Sequence, residues 1–326
     1  MKKNNVWILG IFAVLVAGII TLFAVVLAGF GLFDGVREGG GADTPQYIAI
    51  CINPQADGWQ DIKVGMQQAS AELGVAVEFI EHGFEQDRAD ASCIEMAVDS
   101  GAEGIAIYAQ DRNLDEALEY AAKRGVAVAV LVNRYTGEES VIQIGEDAEN
   151  IAGTMAEYIG GMSESALNAG LISDAQADDV RVGIFSEKIS SITGGVKTAK
   201  RTGYYVFDAG ESAKQLLSAN SEINLICCMD ANTTLGVAQS IVELNKVNSV
   251  SIVGSGISSE ILNLIEKGVI SATVSMDYKK IGEDAVKELF KQNGRIYKTA
   301  SEISADVFII DADNADLFTR EDEYEG

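Results

Sequence analysis

The sequence predicts an α/β protein of two lobes, each a mostly parallel sheet flanked by helices, preceded by one N-terminal transmembrane helix. First, strand-like apolar runs alternate with helical patterns of roughly 10 to 15 residues, as in parallel sheets with right-handed crossovers. Second, the alternation occurs in two similar sets, which indicates two lobes with a cleft between them. Third, residues 6–33 carry no charge and are numerous enough to span a bilayer.

The first unit shows the pattern clearly. The apolar strand Tyr47–Ile52 is followed by a polar loop, 53–60, and then by apolar residues at helical spacing from 62 to 73. A strand that is apolar on both faces is typical of a covered parallel sheet, which binds ligands beyond the carboxyl ends of its strands. We therefore expect Trp59, at the tip of this loop, to stack on a ligand. The alternative is that its ring packs at the start of the helix.

The later elements follow the same alternation. The first set continues with strands 75–80, 104–108 and 126–132 and with helices 87–100 and 114–124. The second set is predicted to hold strands 141–145, 180–185, 204–207, 225–229, 251–253, 272–275 and 307–310. Its predicted helices are 148–160, 212–219, 233–244, 259–267 and 280–290.

The N-terminal segment is predicted to be a retained membrane anchor. Lys2 and Lys3 precede the uncharged run, so the positive-inside rule places the N-terminus in the cytoplasm and the rest of the chain outside. The alternative is a secretory signal cleaved before Gly29, although the apolar stretch is longer than such signals usually have. We expect residues 1–35 to be a single-pass anchor in the cell membrane and the glycine-rich residues 36–45 to be a flexible tether.

The net charge of the chain limits the kinds of partner that it can bind. The chain has 24 Lys and Arg against 49 Asp and Glu, a net charge of −25. This charge repels the phosphates of nucleic acids, so we expect no DNA or RNA partner. The alternative account of the acidity is solubility alone.

The four cysteines show no metal-binding or redox spacing. Cys51, Cys93, Cys227 and Cys228 are therefore expected to be buried free thiols, and no metal or other cofactor is expected. Since neighbouring residues of a strand point to opposite faces, Cys227 and Cys228 should not bond to each other.

Several stretches, taken in order, resemble the periplasmic sugar-binding protein family, the ribose and galactose receptor type that shares its fold with the ligand domain of LacI-like repressors. The resemblance covers roughly residues 46–311 and implies the two-lobed type I fold of that family. The stretches that carry it are Trp59 to Gly65, Ser100 to Ile105, Val132-Asn133-Arg134, Ile144-Gly145-Glu146-Asp147, Asp230 to Gly236, Ser251 to Gly254 and Glu266 to Val274.

The resemblance implies a set of ligand-binding residues. Trp59 falls where the family stacks an aromatic ring on a sugar, and Asn133-Arg134 falls where it has an Asp-Arg or Asn-Arg pair. Asp230 falls where it has a ligand-binding Asn or Asp. A guanidinium can donate to vicinal hydroxyls, and a carboxylate can accept from them. The alternatives are a surface ion pair for Arg134 and a helix N-cap for Asp230.

Three further residues complete the predicted site. Asn53, Tyr108 and Asp111 follow the carboxyl ends of the first and third predicted strands.

The chain also departs from the family pattern. Gly254-Ser255-Gly256 replaces the common Gly-Phe-Asp, and Met276 stands where a Gln is common. The family arginine three residues before a Gly-Phe pair has no match before Gly195-Val196, where Ile192 stands. Tyr108 replaces a frequent Asn. The ligand is therefore expected to be less polar or differently shaped than ribose or galactose.

Family crossings between lobes imply the domain bounds. They are expected near 145–147, 275–277 and 299–301. Lobe one would then comprise 46–146 and 277–299, lobe two 147–276 and 300–312, and residues 313–326 would form an acidic tail.

The function these features favour is a membrane-anchored extracytoplasmic solute-binding protein that passes a carbohydrate-like ligand to an ABC transporter. The alternative is a ligand-sensing co-receptor for a membrane sensor kinase or chemoreceptor. An enzyme is not expected, because His82 is the only histidine and no Ser-His-Asp set can be assembled around it.

Overall fold

The chain builds two six-stranded sheets, as the computed structural model shows. The structure describes residues 46–52, 58–81, 89–108, 113–132, 135, 137, 140–162, 166–173, 177, 179–200, 203, 205–293 and 300–318. Among these residues no helix is both long and apolar enough to cross a membrane. The predicted anchor and tether, 1–45, lie outside the described residues.

Strands and helices are numbered here in chain order. The strands are β1 Tyr47–Ile52, β2 Ala76–Glu81, β3 Gly104–Ile107, β4 Ala127–Val132, β5 Ile142–Gly145, β6 Ala169–Ser173, β7 Val196–Lys200, β8 Leu225–Cys228, β9 Ser251–Ser255, β10 Ala272–Met276, β11 Ser301–Ser304 and β12 Val307–Asp311. The helices are α1 Trp59–Leu73, α2 Ala89–Asp99, α3 Asp115–Lys123, α4 Ala148–Gly161, α5 Asp179–Thr193, α6 Val206–Ala219, α7 Ala231–Glu243, α8 Ser259–Glu266 and α9 Tyr278–Gln292.

The first sheet has the order β11-β5-β4-β3-β1-β2, and all of its strand pairs are parallel. Helices cover both faces because apolar side chains point both ways. Along β1, Ile48 and Ile50 join the core that contains α1 and α9, whereas Ala49 and Cys51 join the core that contains α2 and α3. This period of two is the strand geometry that a covered parallel sheet requires.

The second sheet has the order β12-β10-β9-β8-β6-β7, with β12 alone antiparallel to its neighbour. Cys227 and Cys228 of β8 are buried in two different cores, on opposite faces of this sheet. The prediction that they point to opposite faces is confirmed. Together the two sheets confirm the predicted two-lobed α/β architecture.

The chain passes between the lobes at three places. It leaves β5 for α4 at Glu146-Asp147, and it leaves β10 for α9, which packs on α1, at Asp277. The third crossing lies at 305–306, between β11 and β12, and the prediction of 299–301 is wrong because β11 pairs with β5 in the first sheet. Residues 301–304 include a single apolar residue, Ile303, so the sequence shows no strand pattern there.

Two predicted strands of the second lobe are also wrong. Residues 180–185 belong to α5 and not to a strand, because Phe185 and Ile189 are buried four residues apart, at helical spacing. Residues 206–207 open α6. The strands that replace them are β6, which is buried throughout, and β7, a largely exposed edge strand whose lysines hide its strand pattern.

Two of the four cysteines are not free. Cys51 of β1 and Cys93 of α2 form a disulfide, with Cα atoms 5.9 Å apart. The prediction of a free thiol is wrong at these two positions, because the fold brings together a strand and a helix whose cysteines are 42 residues apart. Cys227 and Cys228 are free and buried, as predicted.

Glycines allow one helix pair in each lobe to pack closely. A Cβ on Gly65 of α1 would lie 1.9 Å from the Lys279 carbonyl oxygen, and one on Gly282 of α9 would lie 2.1 Å from that of Ile62. In the second lobe, a Cβ on Gly236 of α7 would lie 2.1 Å from the Val206 carbonyl oxygen of α6. Backbone thus meets backbone at both crossings, and larger residues do not fit there.

We expect thiol titration to count two thiols in the unfolded, unreduced protein and four after reduction. In the folded protein at pH 8 neither should react. Burial raises the pKa of the Cys227 thiol to about 12, and burial also raises that of Cys228, so both stay protonated and covered. Four thiols without reduction would contradict the disulfide.

We expect Gly65→Ala to lower the free energy of unfolding by about 3 kcal/mol, because its methyl group would press on helix backbone that cannot move aside. The measurement is denaturant unfolding followed by circular dichroism. Gly153→Ala is the matched control: Gly153 lies within α4 and a Cβ there would meet nothing within 4 Å. Alanine should raise stability there by about 0.5 to 1 kcal/mol. Equal effects of the two changes would show that the α1–α9 crossing is not close-packed.

Candidate functional site

The candidate site lies where the carboxyl edges of the two sheets meet. β5 and β11 run in parallel and both end at a crossing, and β10 ends at the remaining one. β12 begins opposite the end of β10, since Val307 pairs with Met276. All three crossings therefore lie at the edge where parallel sheets bind ligands.

The three crossings are hydrogen-bonded to one another. The amide of Ala305 donates to the carbonyl of Gly145 at 2.9 Å, and the amide of Asp277 donates to that of Asp306 at 2.9 Å. Short connecting segments of this kind are where hinges between two lobes are expected.

The end of β4 is strained. Val132 has φ +63°, a left-handed conformation that is rare for a β-branched residue. Gly145 lies directly beside it, because a Cβ on Gly145 would be 2.5 Å from the Val132 Cα atom. The amide of Glu146 donates to the Val132 carbonyl at 2.8 Å and so holds this conformation. Such strain is concentrated at binding sites, and Asn133-Arg134 follows directly.

Asp230 caps α7 from the carboxyl end of β8. Its carboxylate accepts from the Thr233 amide at 2.9 Å and from the Thr233 hydroxyl. The buried Thr234 hydroxyl donates to the Asp230 carbonyl at 2.8 Å and accepts from the Ser255 amide at 3.2 Å, which links the ends of β8 and β9. The N-cap alternative is therefore confirmed. A carboxylate has about four acceptor positions, so capping is compatible with a ligand contact.

Arg181 is a residue that the sequence reasoning missed. It lies in the first turn of α5, where its Nε donates to the Glu146 carboxylate at 2.6 Å and its Nη2 donates to the Met229 carbonyl at 3.1 Å. It thus joins the first crossing to the residue before Asp230. The signal was present: Arg181 stands three residues before Ile184-Phe185, with Ile184 in the place of the family glycine.

The two predicted aromatic residues pack inside lobe one. Trp59 is 2% exposed, and its ring meets that of Phe79 edge to face at 5.5 Å. Tyr108 is buried in the same core. For Trp59 the structure matches the alternative, a ring packed at the start of a helix. Asn53, Asp111, Asn133 and Arg134 lie outside the described residues.

Exposed aromatic rings occur instead at the edge of lobe two. Tyr205, directly before α6, is 78% exposed, and Phe207, in its first turn, is 71% exposed. Since α6 follows β7, both rings lie near the carboxyl edge of the sheet. The sequence reasoning assigned these residues to a strand and did not consider them for the site.

Among the described residues, no group of three or more His, Cys, Asp or Glu side chains could hold a metal ion. The described groups at this edge that can contact a ligand are the Asp230 carboxylate, the Arg181 guanidinium and two exposed aromatic rings, which provide hydrogen bonding and stacking.

Comparison with known proteins supports the same fold. A solved sugar ABC transporter (sugar-binding protein) from Bacillus halodurans has a TM-score of 0.75 at 18% identity, covering 84% of this chain and 100% of that one. A periplasmic ribose ABC transporter from Conexibacter woesei DSM 14684 has a TM-score of 0.75 at 16% identity, covering 86% and 96%. The XylFII-LytSN complex has a TM-score of 0.68 at 21% identity, covering 83% and 99%.

At these identities the solved structures share the fold of this chain. A search of curated protein sequences finds no significant match. The sequence pattern of the periplasmic binding protein domain matches residues 48–295, which include most strands of both sheets and the helices α5, α6 and α7, at whose N-terminal ends the candidate binding residues of lobe two lie. The chain therefore belongs to the periplasmic binding protein domain family.

Proposed function

We propose that the protein is a membrane-anchored, extracytoplasmic solute-binding protein that captures a small carbohydrate-like ligand between its lobes and delivers it to an ABC transporter. The observation that carries the proposal is the hinge: three hydrogen-bonded crossings at the carboxyl edges of both sheets, with Asp230 and Arg181 beside them. The solved structures named as sugar and ribose ABC transporter proteins support this ligand class.

The groups at the carboxyl edge of the second sheet can bind a sugar. A sugar hydroxyl can donate to the Asp230 carboxylate and accept from a guanidinium, while an exposed ring such as Phe207 can cover its apolar face. These groups belong to lobe two. A ligand that also contacts lobe one would bind the closed arrangement more tightly than the open one. It would favour closure by the difference between these two binding free energies.

The location outside the cytoplasm is supported by two features. The Cys51–Cys93 disulfide is of a kind that persists in oxidising compartments. The uncharged run 6–33 after Lys2 and Lys3 favours a retained anchor with the binding domain on the outer side.

A second candidate is a co-receptor that reports its bound ligand to a membrane sensor protein. It is favoured by the similar fold of XylFII in the XylFII-LytSN complex, since a protein of this fold there associates with a second protein. Crosslinking in native membranes with mass spectrometry separates the two: permease subunits would support delivery, and a sensor protein in their place would support the co-receptor.

We expect the full-length protein in detergent to bind at least one neutral sugar in a calorimetric panel, and Asp230→Asn to weaken that binding. Asparagine also caps helices, so the change removes the charge and keeps the fold. The loss should be about 1.5 to 3 kcal/mol, or roughly 10- to 150-fold in Kd. Asp313→Asn, which removes the same charge at an exposed position, is the control. Unchanged binding by Asp230→Asn would place the ligand elsewhere.

We expect the protein recovered from membranes to retain residues 6–33, because this apolar run is longer than that of a cleaved signal. Mass analysis of the N-terminal peptide after membrane fractionation measures this. A start at Gly29, or recovery in the soluble fraction alone, would contradict the anchor.

A further inference from the structure

The two edges of the second sheet differ in the residues that they expose. At one edge lies β7, where Lys197 and Lys200 are exposed. Lysines of this kind discourage an edge strand from pairing with other chains. At the other edge lies β12, which begins Val307-Phe308-Ile309-Ile310 and keeps the first three of these residues partly exposed. Such residues favour strand pairing, and β12 has no charge before Asp311.

The side chain of Asn314 covers the outer edge of β12. The backbone of Asp306 faces β10, since its carbonyl accepts from the Asp277 amide, so the alternate positions 307, 309 and 311 face outward. Asn314 Nδ2 donates to the Ile309 carbonyl at 2.9 Å, and Asn314 Oδ1 accepts from the Asp311 amide at 2.9 Å. One amide group thus takes both of the backbone groups that a neighbouring strand would bind.

A tight turn holds Asn314 in this position. Its backbone amide donates to the Asp311 carbonyl at 3.2 Å, and the Asp313 amide donates to the Asp311 carboxylate at 3.0 Å. Beyond the turn, the ring of Phe318 stacks on that of Phe308, with 5.3 Å between the ring centroids. The chain is therefore fixed on both sides of Asn314, which keeps the side chain on the strand edge.

We propose that Asn314 blocks the free edge of the second sheet and prevents a second copy of this chain from pairing with β12. A second copy is the expected occupant, because two β12 strands related by a two-fold axis run antiparallel, and antiparallel is the pairing that β12 already makes with β10. The contact would join the second sheets of two molecules into one continuous sheet. It does not depend on the ligand that the protein binds.

The same amide arrangement also occurs inside the second sheet, where a strand does lie alongside. Asn224, directly before β8, donates from Nδ2 to the Ala166 carbonyl at 3.1 Å and accepts at Oδ1 from the Asn168 amide at 2.8 Å. These two groups precede β6, which pairs with β8. Asn224 therefore prolongs an existing strand pair, and its loss would open no free edge.

The competing account is that Asn314 only stabilises the turn after β12. Both accounts expect the loss of the amide to lower the stability of the fold, because two hydrogen bonds disappear. Only the proposed block expects the molecules to associate through β12. The mass of the particle in solution therefore separates the two accounts.

The experiment measures the protein mass of the full-length chain in detergent, at several concentrations, by size-exclusion chromatography with light scattering. Asn314→Ala should raise the association constant about tenfold or more relative to the wild type, since each freed group can bind a partner strand. Asn224→Ala is the matched control and should leave the mass unchanged. Adding Ile309→Lys to Asn314→Ala should restore the wild-type mass, because a lysine on an edge strand opposes pairing.

A second variant, Asn314→Ser, keeps a residue that favours turns but is too short to bind both backbone groups, so it should associate as Asn314→Ala does. It decides the question if the alanine variant does not fold, as judged by circular dichroism. Folded variants with the mass of the wild type overturn the inference. Failure of both variants to fold would assign Asn314 to the fold itself and overturn it too.

The two remaining controls test where the molecules meet. A gain in mass that Asn224→Ala shares would come from lost stability. A gain that Ile309→Lys does not reverse would come from another surface. Either result overturns the block at β12.

Discussion

The hydrogen bonds among the three crossings are the constraint on which the rest of the structure depends. Because Ala305 donates to Gly145 and Asp277 to Asp306, the carboxyl edges of both sheets are held at one place. The close approach of Gly145 then fixes the left-handed Val132, and the adjacent Glu146 reaches Arg181. The left-handed conformation of Val132 and the Glu146–Arg181 ion pair both depend on this contact between the crossings.

The sequence allowed the architecture to be predicted where burial is continuous. β3, β4 and β8 are buried at every position, so their apolar runs could be read directly. β7 and β11 could not be read in this way, because they lie at sheet edges and expose polar side chains. α5 was misread as a strand because its first apolar residues alternate with Arg181 and Gly183, and the helical spacing emerges only at Phe185 and Ile189.

The site was predictable only where a single residue carries the signal. Asp230 follows a strand and starts a helix, so both its proposed roles could be named in advance. Arg181 was missed because an isoleucine replaces the glycine that marks its position. The burial of Trp59 depends on Phe79, which comes from a different strand, and the Cys51–Cys93 bond depends on β1 and α2 being neighbours in space. Such contacts between distant parts of a chain have no local pattern.

The position of β11 delays the completion of the first lobe during synthesis. The strands β6 to β10 of the second sheet form a continuous stretch of chain, which lacks only β12. The first sheet starts with β1 but waits for α9 and for β11, whose Ser304 hydroxyl bonds to Asp147 across 157 residues. The lobe that emerges first from the ribosome can therefore close its edge only when almost the whole chain has been made. Until then β5 presents an unpaired strand edge that can attract other chains.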